Sequence, residues 1–401
     1  MTVTTAIAAR LHPELRALRR EIHADPELGN DNPRTQARIL AALEGLELEI
    51  TTGRALTSVV AVLRGRAETT GRRPIVLLRG DMDGLPVVEA TGQEFASVTG
   101  TMHACGHDLH VAGLIGAVRI LHELRDQLPG DVVFMFQPGE EGPGGAGPMI
   151  AEGVLDAAGR RADAAYALHV ISHNHPLGVW SGRPGVFMAA ADQCHITVRG
   201  RGGHGSQPHT ALDPVPVACE IAIALHTMVT RQFSAFDPVV VTVGKIAAGS
   251  KENIIPDDAR LDATVRTFSK ENHALIPERI TRLAQGIAEA HGMTADVDYA
   301  PGYPVTVNDE AEYALLTDTV IDLFGADHYV EEPFPEAGAE DFSLVGEQIP
   351  SAFIFVSAYP GADHATAPSN HSPRALFDDV VLADCAALLA EVALRRLRQG
   401  V

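Results

Sequence analysis

The hydrophobic pattern of the first 185 residues alternates between two periods. Apolar residues spaced three and four apart predict helices at 10–28, 35–46 and 111–128. Short β-branched runs bounded by glycine or proline predict strands at 58–63, 75–78, 132–136 and 164–170. Strands that alternate with helices in this way are typical of an α/β sheet that helices cover on both faces.

The pattern changes near Pro184 and changes back near Pro301. Between them, the sequence predicts strands at 186–199, 238–246, 260–268 and 294–299 (the last an edge strand), and helices at 213–232 and 273–290. After residue 300, helices are predicted at 309–324 and 378–397, and a strand at 352–357. We therefore predict a mixed, mostly parallel α/β domain (residues 1–185 and 300–401) that is interrupted by an inserted α+β domain (residues 186–299).

The amino-acid composition and net charge limit the classes of molecule that the protein is expected to bind. Hydrophobic residues make up 46% and charged residues 21% of the 401-residue chain, which is enough apolar material for a large core. The net charge of −21 disfavours nucleic acid and anionic membranes as partners. The four cysteines show no framework spacing, and we find no apolar run of signal-peptide or membrane-spanning length. These features predict a cytoplasmic protein.

Residues 103–110, HACGHDLH, contain the highest concentration of thiol, imidazole and carboxylate side chains in the chain. Because this stretch directly precedes a predicted helix, Cys105 and His107 are expected at or just before the helix N-terminus. The positive dipole end there favours a thiolate, and a thiolate beside imidazoles is a ligand set for a divalent cation. Taken alone, a single Cys-x-His is more often a buried cysteine near hydrogen-bonded histidines.

Further candidate ligands follow the predicted strands. Asp81 and Asp83 follow the strand at 75–78, Glu140 and Glu141 follow the strand at 132–136, and His169 closes the strand at 164–170. Ligands of open α/β sheets bind beyond such strand ends, although each segment alone is as readily a solvated turn or a satisfied histidine. Together with a histidine before the last helix, the chain offers enough donors for two metal ions with open positions: Cys105, His107, Glu141, His169 and His371.

The inserted region carries candidates of its own. His204 lies in a glycine-flanked loop and could donate a hydrogen bond to a developing oxyanion, or be an exposed loop histidine. Arg266 could hold a substrate carboxylate in a bidentate grip, or form a surface salt bridge. Asn253 is a further polar group near a strand end.

A series of segments in order resembles the dinuclear metallo-amidohydrolases of the aminoacylase and carboxypeptidase superfamily. The branch is that of hippurate hydrolase, N-acyl-L-amino acid amidohydrolase and indole-acetyl-amino acid hydrolase. The segments span most of the chain: LRREIHADPELG, GDMDGLPV, MHACGHDLH, FQPGEEGPGGAGPMIAEGVL, ALHV, GGHGSQPH, NIIPDDARLDATVRTF, GAEDF and NHSP. The sequence departs from its relatives at residues 30–32, where they often carry glutamate.

The resemblance implies an aminopeptidase-like domain with a ferredoxin-like insert that serves as lid and dimerisation domain. It implies that the five donors bind two divalent ions per subunit, Zn²⁺ first and Mn²⁺, Co²⁺ or Ni²⁺ as alternatives. Glu140 matches the general base, and Asp83 matches the carboxylate behind the ligands. His204 matches a histidine that reaches the partner's active site in a homodimer. Asn253 and Arg266 resemble substrate-contacting positions.

The expected reaction is hydrolysis of an N-acyl amino acid to a carboxylic acid and a free amino acid. A dipeptidase or carboxypeptidase with the same metals is an alternative. Two other classes are a metal-dependent binding protein without catalysis and a zinc-stabilised structural module, although the latter needs closed four-ligand sites. The sequence leaves the acyl group and the amino acid open. His173 and His175 are expected in a loop, with metal capture as the lesser alternative. Buried packing is expected for Cys194, Cys219 and Cys385.

Overall fold

The computed structural model describes residues 2–69 and 71–400. The helices are α1 (Val3–His23), α2 (Pro33–Leu43), α3 (His107–Glu123), α4 (Ala146–Ala151), α5 (Pro214–Gln232), α6 (Lys270–Ala290), α7 (Glu310–Phe324), α8 (Ser343–Gly346) and α9 (Val381–Gln399). The strands are β1 (Glu49–Thr52), β2 (Val59–Arg64), β3 (Ile75–Asp81), β4 (Asp131–Gln137), β5 (Ala164–Ile171), β6 (Trp180–Gly182), β7 (Gly185–Met188), β8 (Ala190–Arg199), β9 (Gly203–His204), β10 (Val239–Ala248), β11 (Ile254–Ile255), β12 (Asp258–Thr267), β13 (Thr294–Tyr303), β14 (Thr306–Asn308), β15 (Tyr329–Glu331) and β16 (Ser351–Ser357).

The first compact unit contains the described residues of 1–185, 307–333 and 344–401. Its sheet has the strand order β1-β2-β4-β3-β5-β16-β6-β15, and the central strands β4, β3, β5 and β16 pair in parallel. Strands β3, β4 and β16 are buried along their whole length, as expected for a sheet covered on both faces. Helices α1, α3 and α9 pack against one another beside it. The predicted α/β fold class is therefore confirmed.

The second unit contains residues 186–306 and 334–343. Its antiparallel sheet has the order β10-β12-β8-β13, so β13 is the edge strand that the sequence predicts. Burial alternates along β8 and β12, because one face of the sheet packs on helices α5 and α6. This is the expected inserted α+β layer.

The boundaries of this unit differ from the expected ones at its C-terminal end. The boundary expected after residue 299 falls inside β13, which continues to Tyr303 with an irregular register between Ala300 and Tyr303. The division lies after Thr306, and residues 334–343 also belong to the second unit. Hydrophobic periodicity does not predict that such a short segment after the main insert belongs to the second unit.

Helices α1 and α3 begin at least four residues earlier than their apolar pattern predicts. Helix α1 begins at Val3, where the side chain of Thr2 accepts a hydrogen bond from the Thr5 N–H at 3.2 Å. Helix α3 begins at His107, four residues before the apolar run. Within the described residues, no helix combines the length and the apolar character needed to cross a membrane.

Candidate metal centre

Neighbouring parallel strands bring side chains to one edge of the sheet in the first unit. Strand β3 ends at Asp81, β4 ends shortly before Glu140, and β5 carries His169 near its end. Because β4, β3 and β5 are adjacent and parallel, their carboxyl ends meet at the same edge. The strand-end argument from the sequence therefore brings these segments together.

The turn before α3 needs a glycine to come close to β5. Gly106 has a φ of 82°, in the left-handed region that glycine adopts without strain. A Cβ at this position would lie 2.3 Å from Cγ2 of Val170. The close approach brings Sγ of Cys105 to 3.4 Å from Nε2 of His169.

The five predicted ligands fall into two groups of three donors that share one thiol. Within each group the donor atoms all lie within 4.8 Å of one another. Three protein donors per ion would leave an open coordination position at each ion, as catalytic sites require. The two groups are Cys105, His107 and His169, and Cys105, Glu141 and His371.

His371 reaches this edge from the far end of the chain. Its backbone N–H donates to the carbonyl oxygen of Ala104 at 2.9 Å, and its Nε2 lies 3.1 Å from Oε1 of Glu141. Its φ of 68° is uncommon for a residue other than glycine, and such conformations cluster at functional sites. Burial raises the pKa of the Glu141 carboxyl, but the contact with His371 and the nearby His107 lower this pKa by more. The ionised carboxylate of Glu141 is therefore favoured.

Asp83 organises the residues behind the donor groups. Its two carboxylate oxygens accept hydrogen bonds from the backbone N–H groups of Glu140 and Glu141, each at 3.1 Å. Oδ1 also lies 3.4 Å from Nδ1 of His107. A carboxylate that holds the far nitrogen of a ligand histidine fixes the ring orientation. Burial raises the pKa of the Asp83 carboxyl.

The surroundings of His107 fit the binding of a cation. Nε2 of His107 is buried and has no hydrogen-bond partner in the part of the chain that the structure describes. Carboxylate oxygens of Asp81, Glu141 and Glu140 surround it at 3.6, 3.9 and 4.0 Å. Burial lowers the pKa of His107, but Asp81 and Asp83 raise it to about 10. The residues therefore fit a divalent cation at this position.

The protonation state of the Cys105 thiol also depends on a bound cation. Burial raises the pKa of Cys105 well above its usual value, and the nearby carboxylates of Glu141 and Glu140 raise it further. A thiol in such surroundings stays protonated unless a metal ion binds it, because a coordinating thiol is deprotonated by the ion. The donor set is therefore chemically coherent only with metal bound.

The sequence did not reveal a buried chain of polar groups behind the donors. Arg79 donates to Oδ2 of Asp81 at 2.7 Å, and Nδ1 of His110 contacts Oδ1 of the same carboxylate. Nε2 of His110 accepts the backbone N–H of Val170 at 2.9 Å, so the proton of this neutral ring lies on Nδ1.

Although Asp81, His107 and His110 also lie close together, both nitrogens of His110 are occupied and it is no ligand candidate. The signal that could have found it is its spacing of three residues from His107, on the same helix face.

His204, Asn253 and Arg266 belong to the second unit, whereas the five predicted ligands belong to the first. Strand β9 pairs with β11, and the Gly205 N–H donates to the Asn253 carbonyl oxygen at 2.9 Å, so His204 and Asn253 are neighbours. Nδ1 of His204 accepts the Ser206 N–H at 3.1 Å, which leaves the ring proton on Nε2. Arg266 lies on β12 and donates to the Val265 carbonyl oxygen at 3.0 Å.

The other histidines and cysteines that the sequence analysis singled out lie outside the donor groups. Nε2 of His175 contacts Oε1 of Glu332 at 2.7 Å. The loop that carries His173 and His175 follows β5. All four cysteines are free, and Cys194 and Cys385 are fully buried, in agreement with a packing role. Cys219 is exposed, so the buried position expected for it is wrong.

The α/β fold and the shared-thiol donor groups define a metal-dependent hydrolase. Residues 77–395 match the family described as Peptidase family M20/M25/M40. The chain belongs to this family and is a metal-dependent amidohydrolase, which confirms the resemblance drawn from the sequence.

Individual relatives agree with this assignment. Thermostable carboxypeptidase 2 of Saccharolobus solfataricus is 37% identical over 370 residues, 91% of either chain. N-acetylcysteine deacetylase of Bacillus subtilis is 34% identical over 385 residues, 95% of this chain and 96% of the relative. The solved structure of the Bacillus subtilis YXEP protein, a dinuclear metal-binding peptidase from the M20 family, matches with a TM-score of 0.83 and 31% identity. That match covers 97% of this chain and 99% of the other.

Proposed function

We propose that this chain hydrolyses N-acyl amino acids to a carboxylic acid and a free amino acid. The observation that carries the proposal is the convergence of five donors from distant segments on one sheet edge, directly beside the carboxylate of Glu140. The similarity to N-acetylcysteine deacetylase supports a substrate with an acyl group on the amino nitrogen. A cytoplasmic location stays a prediction from the sequence.

We assign the ligands of two divalent ions to the two donor groups that share Cys105. The thiolate and the imidazoles favour Zn²⁺, while Mn²⁺, Co²⁺ and Ni²⁺ remain alternatives. When bound, the ions would supply Lewis-acid polarisation of the substrate carbonyl and acidify a water molecule. Asp83 would hold His107 in its ligand orientation through Nδ1.

Glu140 is the proposed general base. Its backbone N–H is fixed by Asp83 at 3.1 Å, and its Oε2 lies 4.0 Å from Nε2 of His107, beside the donor groups that share Cys105. From there the carboxylate takes a proton from the attacking water and returns it to the leaving amine. Nε2–H of His204 is free to donate to the oxyanion, because Nδ1 already accepts from Ser206.

Arg266 is proposed to bind the carboxylate of the amino acid, with Asn253 as a further substrate contact. Replacing Arg266 with alanine should raise KM for N-acetyl amino acids about 10- to 100-fold with little change in kcat, the scale of one lost hydrogen bond to a charged group. The matched control is Arg260→Ala, an exposed arginine on the same strand β12, paired with Asp262 at 2.9 Å. Steady-state kinetics of both variants on an N-acetyl amino acid measure the effect.

The substrate panel for this experiment also separates the two enzyme alternatives. The similarity to a carboxypeptidase favours the second candidate, cleavage of a peptide bond next to a free C-terminal carboxylate. Acetyl, benzoyl, indole-acetyl and long-chain acyl amino acids are compared with free dipeptides and longer peptides. If the peptides are turned over faster than the N-acyl amino acids, the peptidase function replaces the amidase function. If no substrate shows metal-dependent turnover, only the binding-protein alternative is left.

We further propose a homodimer through the second unit, in which His204 serves the partner's site. The support is β10, an edge strand whose second half is exposed, including Ile246 at 47%; in its first half Val240 is 43% exposed. Exposed apolar edge strands are templates for pairing with another chain.

Ile246→Asp should therefore yield a monomer with lowered activity, because a charge enters the paired edge. Sedimentation velocity and kinetics measure both. Ile50→Asp, at a comparably exposed isoleucine on edge strand β1 of the first unit, is the matched control and should remain dimeric. A dimer of unchanged stability in Ile246→Asp would refute an interface along β10.

A further inference from the structure

The side chain of Asn370 ties together segments that carry three of the proposed ligands. Its Nδ2 donates to the carbonyl oxygen of Val170 at 3.0 Å and lies 3.6 Å from Sγ of Cys105. Its Oδ1 accepts the backbone N–H of Ser172 at 2.9 Å. Because that N–H can only donate, the amide orientation is fixed, and its NH₂ group lies on the side of the Cys105 sulfur and of the Cys105 carbonyl oxygen, 3.5 Å from Nδ2.

The same hydrogen bonds reach the histidine ligands on either side. The Val170 carbonyl oxygen accepts from Asn370 and also from Nδ1 of His169 at 2.8 Å. This places the proton of His169 on Nδ1 and leaves Nε2, 3.4 Å from the Cys105 sulfur, as its donor atom. Asn370 also directly precedes His371, whose backbone is held by Ala104.

We propose that Asn370 is a positioning residue that sets the geometry and the electron density of the Cys105 thiolate in the loaded centre. The inference rests on the proposed ligand assignment and goes beyond it, because Asn370 donates to the sulfur and binds no ion itself. A hydrogen bond to a metal thiolate withdraws electron density from the sulfur and tunes the metal site. Since Cys105 belongs to both donor groups, one amide acts on both ions.

The experiment titrates metal-free protein with Co²⁺ and follows the thiolate-to-Co²⁺ charge-transfer absorption. Asn370→Ala should lower the affinity for Co²⁺ about 10- to 100-fold, the usual effect of losing a partner behind a ligand. It should also move the band to longer wavelength, because a sulfur without its hydrogen bond gives up electron density at lower energy. Ser369→Ala, an exposed neighbour in the same loop, is the matched control and should leave both quantities unchanged.

The outcomes separate this inference from the proposed function. Wild-type protein without a thiolate band, or a band that survives in Cys105→Ala, would refute the ligand assignment itself. Wild-type binding with a thiolate band, combined with an unchanged band and affinity in folded Asn370→Ala, would refute only the role of Asn370. If Asn370→Ala does not fold by circular dichroism, Asn370→Ser, which is small and polar in this partly exposed loop, is measured in the same way and judged by the same two results.

Discussion

Glutamine in place of Glu140 should lower kcat for amide hydrolysis about 10²- to 10⁴-fold, the usual contribution of a general base. The change keeps the shape and the backbone hydrogen bond to Asp83 but removes the group that accepts the proton. The fold and metal content should stay as in the wild type, since Glu140 lies outside the two groups that share Cys105. Kinetics with circular dichroism and metal analysis measure these three quantities.

The adjacent residue provides the matched contrast. Glu141→Gln should lose metal as well as activity, because Glu141 is a donor of the second group. Its loss of activity should be partly reversed by excess metal, whereas that of Glu140→Gln should not. Near-wild-type hydrolysis by Glu140→Gln, or equal loss of metal in both variants, would show that the roles of the two carboxylates are assigned wrongly.

The second prediction with a large expected effect is the loss of activity when the metal ions are removed. Prolonged chelation should reduce amide hydrolysis at least about 10²-fold, the scale of one lost electrostatic stabiliser of the transition state. Adding back Zn²⁺, Mn²⁺, Co²⁺ or Ni²⁺ separately should restore it, and the order of restored rates ranks the metals. Activity that survives complete chelation, with metal content verified by elemental analysis, would exclude the mechanism.

The shared thiol gives this experiment a sharper form. Cys105→Ala should bind less than about one ion per subunit, whereas His169→Ala and His371→Ala, which each weaken one group, should retain about one. Cys385→Ala, at a free and fully buried cysteine of the same unit, is the matched control and should retain the wild-type content. Retention of the full metal content by Cys105→Ala would contradict the sharing.

Much of the fold could be predicted because the central strands are short β-branched runs and the helices repeat apolar residues at their own period. The strands β6, β9, β11 and β15 could not, since two or three residues carry no measurable period. The sequence predicts the start of helix α1 too late, because residues 3–9 are small and β-branched and show little amphipathic contrast.

The candidate site, like the fold, could be predicted from the sequence only in part. Strand ends pointed to Glu141 and His169, because parallel neighbours must place their carboxyl ends together. The sharing of Cys105 and the contacts of Asp81 with His110 depend on distances of a few ångströms that no spacing along the chain encodes. The role of Asp83 came only from family resemblance, and its bonds to Glu140 and Glu141 supply the physical reason.

The insertion of the second unit has a consequence during synthesis. Strand β16, which pairs with β5, and the loop that bears His371 both follow the insertion. At about 5–20 residues/s, the ribosome makes β16 roughly 10–40 s after β5. Throughout this interval the nascent chain displays Cys105 without its last histidine partner and with an unpaired inner strand. Chaperone capture, oxidation of the thiol and loading with the wrong ion are therefore hazards of its biogenesis, and they end only when β16 and the loop that bears His371 have been made.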